Sequence, residues 1–327
     1  MTVLICGGAG YIGSHTVYAL TDRGEQVVVL DNLSTGVAAL VSEKATLVKG
    51  DIQDEALVAK LIADHGVDSV IHFAGSIIVP ESVAQPLAYY KNNTAASRTL
   101  MEACVTGGVK HFIFSSTAAV YGMGSETALA EDAVKDPISP YARSKLMTEW
   151  MLEDASRAYP GFQHIVLRYF NVAGADARGR TGQSAPRATH LIKKACQVAL
   201  GRAPHLDVFG TDYDTPDGTG VRDYIHVSDL ADAHVLALDA LKAGSQSRTY
   251  NCGYGRGLSV RQIVGAMEKV AGKKLAVREQ PRRPGDAASV ISDPSRLKSE
   301  LAWTPRHEDL DAIIRSALEW ERRANAW

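Results

Sequence analysis

The sequence predicts an α/β fold in which a doubly wound parallel sheet is followed by a smaller C-terminal α/β unit. Short runs rich in β-branched residues alternate with longer amphipathic segments through the first half of the chain. Parallel strands need long crossover connections, and helices on both faces of the sheet provide them. After residue 170 the alternation loosens into loops rich in glycine and proline. We therefore place one unit at residues 1–170 and a second at 171–327, with parts of 222–252 returning to the first.

The individual elements follow from local patterning. Turn residues bound short apolar runs that predict strands at Thr2 to Cys6, Gln26 to Leu30, Thr46 to Lys49, Ser69 to Phe73, His111 to Ser115 and His164 to Tyr169. Helical spacing predicts helices between them at Ile12 to Arg23, Asp54 to Asp64, Pro86 to Thr106 and Tyr141 to Ala158. In the second unit, helices are predicted near Ala188 to Leu200, Ser228 to Leu241, Val260 to Val270 and Leu310 to Arg323.

Composition excludes several classes of protein. The 327 residues are 46% hydrophobic and 22% charged, as in ordinary globular proteins. A formal net charge of -2 argues against a nucleic-acid partner or an anionic membrane surface. No apolar run reaches the roughly 20 residues that cross a bilayer, and the start lacks a basic leader, so we expect a cytoplasmic protein without a membrane partner. The four cysteines are widely spaced in apolar segments, which predicts free thiols and neither a disulfide nor a metal site.

A glycine-rich turn joins the first predicted strand to the first predicted helix. It reads Gly7-Gly8-Ala9-Gly10-Tyr11-Ile12-Gly13, and Gly7, Gly10 and Gly13 fit the spacing GxxGxxG. Glycines let the backbone approach a pyrophosphate, and the N-terminus of a helix supplies N–H donors and the positive end of its dipole. Such turns also occur where a strand merely packs tightly on a helix. The position between strand and helix nevertheless favours a Rossmann dinucleotide site.

An acidic residue supports the same site. Asp31 lies at the end of the second predicted strand, 18 residues after Gly13, where a carboxylate can bind both hydroxyls of an adenosine ribose. A carboxylate there repels a 2′-phosphate, and no arginine follows at once, so the sequence favours NAD over NADP. The alternative for Asp31 is an ordinary loop cap.

Polar and small residues end the next predicted strands. The third strand leads into Asp51 and Ile52, the fourth into Phe73-Ala74-Gly75, and the fifth into Ser115-Ser116-Thr117. The carboxyl edge of a doubly wound sheet is where a dinucleotide lies, and the hydroxyls of the fifth strand could approach a substrate alcohol. The alternative is that these residues only form turns and satisfy backbone groups.

A phenol and an ammonium four residues apart open the helix that begins near residue 141. Ser139 is a favourable N-cap and Pro140 suits the first helical position. Residues i and i+4 share a helical face, so Tyr141 and Lys145 lie on the same side. A phenol has a pKa of about 10 in water, and a nearby cation favours its ionised form. With the dinucleotide turn elsewhere in the chain, the pair is a candidate acid/base centre.

Together these motifs resemble the extended short-chain dehydrogenase/reductase superfamily and, within it, the NAD-dependent nucleotide-sugar epimerases that act on UDP-glucose. The resemblance covers essentially the whole chain. Its segments are Gly7 to His15, Leu30 to Leu33, Gly50 to Ile52, His72 to Gly75, Tyr141 to Lys145, Arg168 to Asn171, Gly220 to Val227 and Arg282 to Asp286.

The resemblance implies reversible 4-epimerisation of UDP-glucose and UDP-galactose through a 4-keto intermediate, with tightly bound NAD. Tyr141 would remove the proton from the 4-hydroxyl of the sugar, and Thr117, where the family has serine, would hydrogen-bond the 4-oxygen. Lys145, with the nicotinamide cation, would hold the pKa of the phenol down. The family also implies a homodimer that uses the helices near Pro86 to Thr106 and Tyr141 to Ala158.

The site residues implied by the resemblance form two sets. The cofactor contacts are Gly7, Gly10, Tyr11, Ile12, Gly13, Asp31, Asn32, Asp51, Ile52, Phe73, Ala74, Gly75, Asn92, Ser115, Tyr141, Lys145 and Tyr169. The substrate contacts are Thr117, Tyr141, Asn171, His190, Phe209, Arg222, Arg283, Asp286 and Val290. Arg222 and Arg283 match positions that bind the diphosphate, for which a guanidinium fork is well shaped. Plain core packing is the alternative for Phe209, and a solvated surface charge for either arginine.

The sequence departs from the family at several positions. A lysine common after the His-Phe-Ala-Gly motif is Ile77, and an asparagine common at the substrate pocket is His190. The first departure removes a possible cofactor contact. The position that gates the sugar pocket matches Val290, where relatives restricted to glucose and galactose have tyrosine. The small valine predicts activity on the N-acetylhexosamine pair as well.

Two other functions are alternatives. A nucleotide-sugar 4,6-dehydratase resembles this chain but needs an Asp-Glu pair just after the threonine, and here Ala118 and Ala119 follow Thr117. A non-catalytic NAD(P)-binding sensor could share the fold. Such relatives often lose the tyrosine or the lysine, whereas this chain retains both.

Overall fold

The computed structural model describes residues 1–124, 127–185, 188–283 and 285–323. Its strands are β1 (Thr2–Cys6), β2 (Gln26–Asp31), β3 (Thr46–Lys49), β4 (Val67–His72), β5 (His111–Thr117), β6 (Gln163–Tyr169), β7 (Asn171–Ala173), β8 (Leu206–Phe209), β9 (Val221–His226), β10 (Arg248–Cys252), β11 (Gly257–Ser259), β12 (Val277–Gln280) and β13 (Ser289–Val290). Its α-helices are α1 (Tyr11–Asp22), α2 (Glu55–His65), α3 (Val79–Ala84), α4 (Pro86–Tyr89), α5 (Ala96–Thr106), α6 (Pro140–Ala158), α7 (Leu191–Ala199), α8 (Val227–Lys242), α9 (Val260–Ala271), α10 (Ser295–Leu301) and α11 (Leu310–Arg323).

A parallel sheet of seven strands positions the candidate site. The strand order is β10-β6-β5-β4-β1-β2-β3, and every neighbouring pair is parallel. The chain winds outward from β1 in one direction through β2 and β3, then returns to β4 and continues the other way. The order therefore reverses between β1 and β4, which makes this edge a topological switch point. The predicted doubly wound fold is confirmed.

Both faces of this sheet are buried, which explains why its central strands are apolar throughout. Successive side chains of a strand point to opposite faces. In β1, Val3 and Ile5 belong to the core on the side of α1 and α8, whereas Leu4 and Cys6 belong to the core that contains Phe112. All five residues of β1 are buried. A strand with two apolar faces can only lie inside a three-layer structure.

Smaller sheets carry the candidate substrate residues Asn171, Phe209, Arg222 and Val290. The strand β9 pairs with β7 through its last three residues, with β11 through its first three and with β13 through its first two. The strands β8 and β12 form a separate parallel pair. The boundary at residue 170 stays a prediction, although β10, from the stretch 222–252, is a strand of the large sheet.

The elements differ from the predictions at several places. The single helix predicted at Pro86 to Thr106 consists of α4, a π-helical turn at Tyr90–Ala95, and α5. The turn brings the amides of Asn92 and Asn93 to Ser76, a contact that a regular helical pattern cannot foretell. The strands β7 to β13 and the short helices α3 and α10 were not predicted. The helix α6 begins as predicted, because the Ser139 hydroxyl accepts a hydrogen bond from the Ala142 N–H at 3.2 Å.

Within the described residues, none of the helices combines the length and the apolar character needed to cross a membrane.

The core beneath the sheet predicts a large penalty for one truncation. Phe112 is fully buried and its ring lies 5.8 Å from that of Phe162. We expect Phe112→Ala to lower the free energy of unfolding by about 3–5 kcal/mol, because it leaves a cavity in packed surroundings. Urea denaturation followed by circular dichroism measures it. Val134→Ala is the control, since 83% of Val134 is exposed and its truncation should cost less than about 0.5 kcal/mol. Equal losses would contradict the assignment of the core.

Candidate active site

The glycine-rich turn is closed on one side and open on the other. Gly7 has a φ of +80°, and a Cβ there would lie 2.6 Å from the Ala74 nitrogen. A Cβ at Gly13 would lie 2.3 Å from the Gly7 carbonyl oxygen. A Cβ at Gly10 would meet only that carbonyl within 4 Å, at 3.2 Å. The turn therefore packs against the end of β4 and presents its other side, with the N-terminus of α1, to a ligand.

Asp31 is held in place beside this turn. One carboxylate oxygen accepts the Ala9 N–H at 2.9 Å, and the other accepts the Leu33 N–H at 2.8 Å. A carboxylate can accept about four hydrogen bonds, so each oxygen keeps capacity for a further donor. The geometry makes Asp31 a rigid acceptor at the carboxyl edge of the sheet.

Asn32 and Asp51 form a second polar contact at the same edge. The Asn32 amide donates to the Asp51 carboxylate at 2.9 Å. Burial alone would raise the pKa of Asp51, but hydrogen bonds from Gln53 and Asn32 bring it below its usual value. Asp51 therefore stays ionised. The neighbouring Ile52 is buried in the apolar core.

The segment after β4 is fixed from two sides. The N–H groups of Phe73 and Ala74 both donate to the Cys6 carbonyl at the end of β1. Beyond them, the Ser76 N–H donates to the Asn93 side chain at 2.7 Å, and the Asn92 amide donates to the Ser76 hydroxyl at 2.9 Å. The π-helical turn thus aligns this segment. Gly75 lies between Ala74 and Ser76, and a Cβ there would be 3.0 Å from the Asn93 amide oxygen.

Tyr141, Lys145 and Thr117 meet at the start of α6. All three are at least 91% buried. The Tyr141 hydroxyl is hydrogen-bonded to the Thr117 side chain. The Lys145 ammonium donates to the Ser115 carbonyl at 3.1 Å and lies 4.8 Å from the centre of the Phe114 ring. The structure therefore brings the predicted acid/base residues together at the end of β5.

The protein alone does not ionise the phenol. Burial raises the pKa of Tyr141, and the hydrogen bond with Thr117 only partly offsets this effect. Burial lowers the pKa of Lys145 to about 8, against the opposing influence of the Glu149 carboxylate. The lysine is therefore charged at neutral pH and loses its charge as the pH rises past about 8. A further positive charge is needed to lower the pKa of the phenol toward 7.

Ser115 and Tyr169 complete this part of the sheet edge. The Ser115 hydroxyl is 2.8 Å from the Nε2 atom of His234, and Ser115 also forms a hydrogen bond with Tyr169. Burial raises the pKa of Tyr169, so it stays a neutral phenol. The ring of His234 lies 4.7 Å from that of Phe73, so α8 braces two of the predicted cofactor contacts.

The predicted diphosphate residues lie on β9 and on the loop before β13. One Nη of Arg222 donates to the Asp286 carboxylate and to the Ala287 carbonyl, and the other donates to the Val221 carbonyl at 2.8 Å. Its side chain is only 16% exposed. Arg222 is therefore locked in one conformation, with Asp286 beside it.

Arg283 belongs to the same surface. Its guanidinium lies 3.7 Å above the centre of the Phe209 ring, at the end of β8. Such stacking is favourable and holds the planar group in a defined orientation. The predicted Phe209 and Arg283 are thus in contact, and the ring is not a plain core residue.

Two of the remaining predicted substrate residues lie on strands that pair with β9, and the third precedes α7. Asn171 is exposed on β7, in register with Tyr224, and Val290 on β13 is in register with Arg222. Val290 packs against the buried residues that follow Thr117. His190 precedes α7 and lies 3.4 Å from the Gln183 amide, and burial lowers its pKa.

Sequence reasoning missed some side chains that shape the site. Asn93 and His234 brace cofactor contacts, and Glu149 lies behind Lys145. Their only sequence signal is a polar residue on the buried side of a helix. Ile77, which replaces a common lysine, is 50% exposed. The described part of the chain holds no cluster of histidine, cysteine or acidic side chains fit to bind a metal ion.

Known proteins are similar to this chain over nearly its whole length. Residues 3–253 match the model of the NAD dependent epimerase/dehydratase family. A protein of Azospirillum brasilense named UDP-glucose 4-epimerase is 56% identical over 320 residues, which are 98% of this chain and 92% of the relative.

Solved structures match as well. The UDP-glucose 4-epimerase of Bifidobacterium longum, in complex with NAD+ and UDP, is 39% identical with a TM-score of 0.93, and the match covers 99% of this chain and 98% of the other. The UDP-Glc/GlcNAc 4-epimerase of Campylobacter jejuni is 46% identical with a TM-score of 0.85, covering 98% and 99%. The chain belongs to the NAD dependent epimerase/dehydratase family.

Proposed function

We propose that this protein catalyses the reversible 4-epimerisation of UDP-glucose and UDP-galactose through a 4-keto intermediate, with NAD held in place. The observation that carries the proposal is the buried Tyr141, hydrogen-bonded to Thr117 and preceding Lys145 by one helical turn at the end of β5. The names of the similar proteins support the same reaction.

The residues of the sheet edge fit NAD. The open side of Gly10 and the N-terminus of α1 suit a pyrophosphate, and Asp31 has free acceptor capacity for the adenosine ribose. Asn32, Asp51 and Ile52 border the adenine side, while Phe73, Ala74, Gly75, Asn92, Ser115 and Tyr169 border the nicotinamide side. When bound, NAD accepts a hydride from C4 of the sugar and returns it.

Tyr141 acts as the acid and base. It takes the proton from the 4-hydroxyl and gives it back after the sugar has turned its other face, while Thr117 holds the 4-oxygen by a hydrogen bond. Since burial raises the pKa of the phenol, the Lys145 ammonium and the positive charge of the oxidised cofactor must lower it together. Tyr141 therefore becomes a competent base only when oxidised NAD is bound.

Residues on β8, β9 and the loop before β13 hold the nucleotide. Arg222 and Arg283 bind the diphosphate, Asp286 the ribose and Phe209 the uracil, with Asn171 and His190 as further contacts. The arginines are pre-oriented by Asp286 and by the Phe209 ring. Fixed nucleotide contacts with few contacts to the hexose let the 4-ketose swing about its diphosphate link. Ala118 and Ala119 occupy the positions where a 4,6-dehydratase needs its acid/base pair, so elimination of water is disfavoured.

The enzyme also acts on UDP-N-acetylhexosamines. Val290 lies in register with Arg222 and packs against the buried cluster that includes Ala118, the residue after Thr117. At a position that gates the hexose pocket, a side chain as small as valine leaves room for an N-acetyl group. The similar protein of Campylobacter jejuni is named a UDP-Glc/GlcNAc 4-epimerase.

The protein forms a homodimer in the cytoplasm. Val83 on α3, Leu87 on α4 and Trp150 on α6 are large apolar side chains that are 64%, 80% and 52% exposed, and these helices contact one another. In a dimer with two-fold symmetry, the same surface of both subunits forms the interface, so such an apolar face contacts its copy on the partner. The four cysteines are free thiols, which suits a reducing compartment.

Incubation of the purified protein with UDP-galactose, without added NAD, tests the proposed function. We expect UDP-glucose as the product, because NAD is bound throughout turnover. A 4-keto-6-deoxy product would instead identify a dehydratase, and no reaction from protein that contains NAD would identify a sensor.

Replacement of the phenol tests the mechanism. We expect Tyr141→Phe to lower kcat by about 10²–10⁴-fold, because the proton acceptor is lost, while bound NAD is retained. Coupled assay of UDP-glucose formation and the absorbance of released NAD give the two values. Tyr159→Phe, at the far end of the same helix, should leave kcat unchanged. A fully active Tyr141→Phe protein would refute the assigned role.

Substrate range tests the pocket. We expect Val290→Tyr to reduce kcat/KM for UDP-N-acetylgalactosamine at least tenfold while that for UDP-galactose changes little, because the ring fills the space of the N-acetyl group. Val290→Ala is the control and should accept both sugars. The proposal fails if the wild-type enzyme converts only UDP-galactose.

The oligomeric state tests the apolar face. We expect Trp150→Glu with Leu87→Glu to convert a dimer into a monomer, because two charges would be buried in the interface. Light scattering after gel filtration measures the mass. Val134→Glu, an exposed change outside α3, α4 and α6, should remain dimeric. A monomeric wild-type protein would contradict the dimer.

A further inference from the structure

A buried ion pair lies directly behind the candidate catalytic lysine. Glu149 follows Lys145 by one turn of α6, and Arg168 lies on β6. Their side chains are 6% and 5% exposed. The guanidinium donates to both carboxylate oxygens, through Nε at 3.1 and 3.2 Å and through Nη2 at 2.6 Å. Such bidentate geometry fixes the carboxylate as well as the guanidinium.

The same carboxylate holds the end of β5. It accepts a hydrogen bond from the hydroxyl of Ser116, the residue immediately before Thr117. The backbone carbonyl on the other side of Ser116 belongs to Ser115 and accepts the Lys145 ammonium. The bond from Ser116 to Glu149 therefore holds the backbone that carries both Thr117 and the carbonyl acceptor of Lys145.

Arg168 extends the contact toward the substrate strands. Its other Nη donates to the Tyr121 hydroxyl at 2.8 Å and to the Glu131 carbonyl at 3.0 Å. Tyr121 donates to Asn251, whose amide donates to the Leu129 carbonyl at 2.7 Å. The Leu129 N–H donates to the Ile291 carbonyl, next to Val290.

Stability alone is a weak reason for such an arrangement. Taking two charges out of water costs free energy that their attraction barely repays, and apolar residues of similar size often stabilise equally well. The position of the pair, between the acid/base residues and the substrate strands, gives it another use.

We propose that Glu149 is a positioning residue for the epimerase reaction, which sets the end of β5 against α6 and places a negative charge behind the Lys145 ammonium. This inference rests on the proposed function. Glu149 does not touch the substrate or the cofactor. It acts through Ser116 on Thr117, and through its charge on Lys145.

The charge environment of Lys145 makes the proposal specific. The titratable groups that interact with its charge are Glu149 on α6 and His72 on β4, and Arg168 is bound to Glu149. Tyr141 precedes Lys145 by one turn of α6 and has Tyr169 of β6 nearby. His72 and Tyr169 are neutral, since burial lowers the pKa of the first and raises that of the second. Glu149 is therefore the acidic group that favours the charged lysine, and it opposes the effect of burial. Without it, Lys145 would lose its proton at a lower pH.

The test is Glu149→Gln, which keeps the size of the side chain and one acceptor oxygen, replaces the other oxygen by an NH2 group, and removes the charge. We expect kcat for UDP-galactose to fall about tenfold with KM changed less than twofold and NAD still bound. We also expect the alkaline limb of the kcat profile to move down by about one pH unit. The titration of the Lys145 side chain, followed by NMR of ¹³C-labelled lysine and assigned with Lys145→Ala, should move by the same amount.

The matched control is Glu321→Gln. Glu321 is also buried and paired, with Lys193 at 2.7 Å and Arg202 at 3.6 Å, but it lies on α11. This variant should lose stability without moving the pH profile or the lysine titration. An unchanged profile and titration in folded Glu149→Gln would overturn the proposal. So would the same shifts in Glu321→Gln.

A second variant decides the matter if Glu149→Gln does not fold. Ser116→Ala removes the bond to β5 and keeps the charge, so kcat should fall while the alkaline limb stays in place. Unchanged kcat in that variant would overturn the proposal. The lysine titration needs no turnover, so a wild-type protein without epimerase activity would refute the proposed function and leave this test intact.

Discussion

The burial of the Lys145 ammonium is the interaction on which the candidate site depends. A charged group 97% removed from solvent needs partners, and the structure supplies the Ser115 carbonyl, the Phe114 ring and the Glu149 carboxylate. Because two of these belong to β5 and one to α6, the lysine can be satisfied only when helix and strand are docked in one register. That register also sets Tyr141 beside Thr117. The contacts that stabilise the buried ammonium therefore also place the side chains of the candidate site.

The same burial separates the resting protein from the reacting complex. A dry environment disfavours both the phenolate and the ammonium, so it raises the pKa of Tyr141 and lowers that of Lys145. The lysine remains charged near neutrality, whereas the phenol does not ionise. An oxidised cofactor brings the missing positive charge. In the proposed mechanism, the molecule that receives the hydride also lowers the pKa of the phenol, which limits proton removal when no oxidised cofactor is bound.

The sequence was sufficient for the periodic and the chemical parts of the molecule. Alternating strands and helices, the glycine turn and the capped start of α6 are local patterns, and each fixed a position in the fold. The pairing of Arg222 with Asp286 and of Arg283 with Phe209 could not be derived from spacing, because those residues come together only through β8 and β9. The π-helical turn and the role of Asn93 were not predicted, for a similar reason. A buried amide inside a helical pattern has no local signature until its partner loop is known.

Arg222 carries its own counter-ion, and this has a consequence for exchange of ligands. The bonds to Asp286 and to three backbone carbonyls leave the guanidinium stabilised in the protein without a ligand. An anion that arrives gains less than it would from a bare cation, and one that departs exposes no unpaired buried charge. A catalyst whose substrate and product share one nucleotide gains nothing from holding that nucleotide as tightly as possible. In the proposed role of Arg222 as a diphosphate contact, this pairing favours ready exchange of UDP-sugars over their retention.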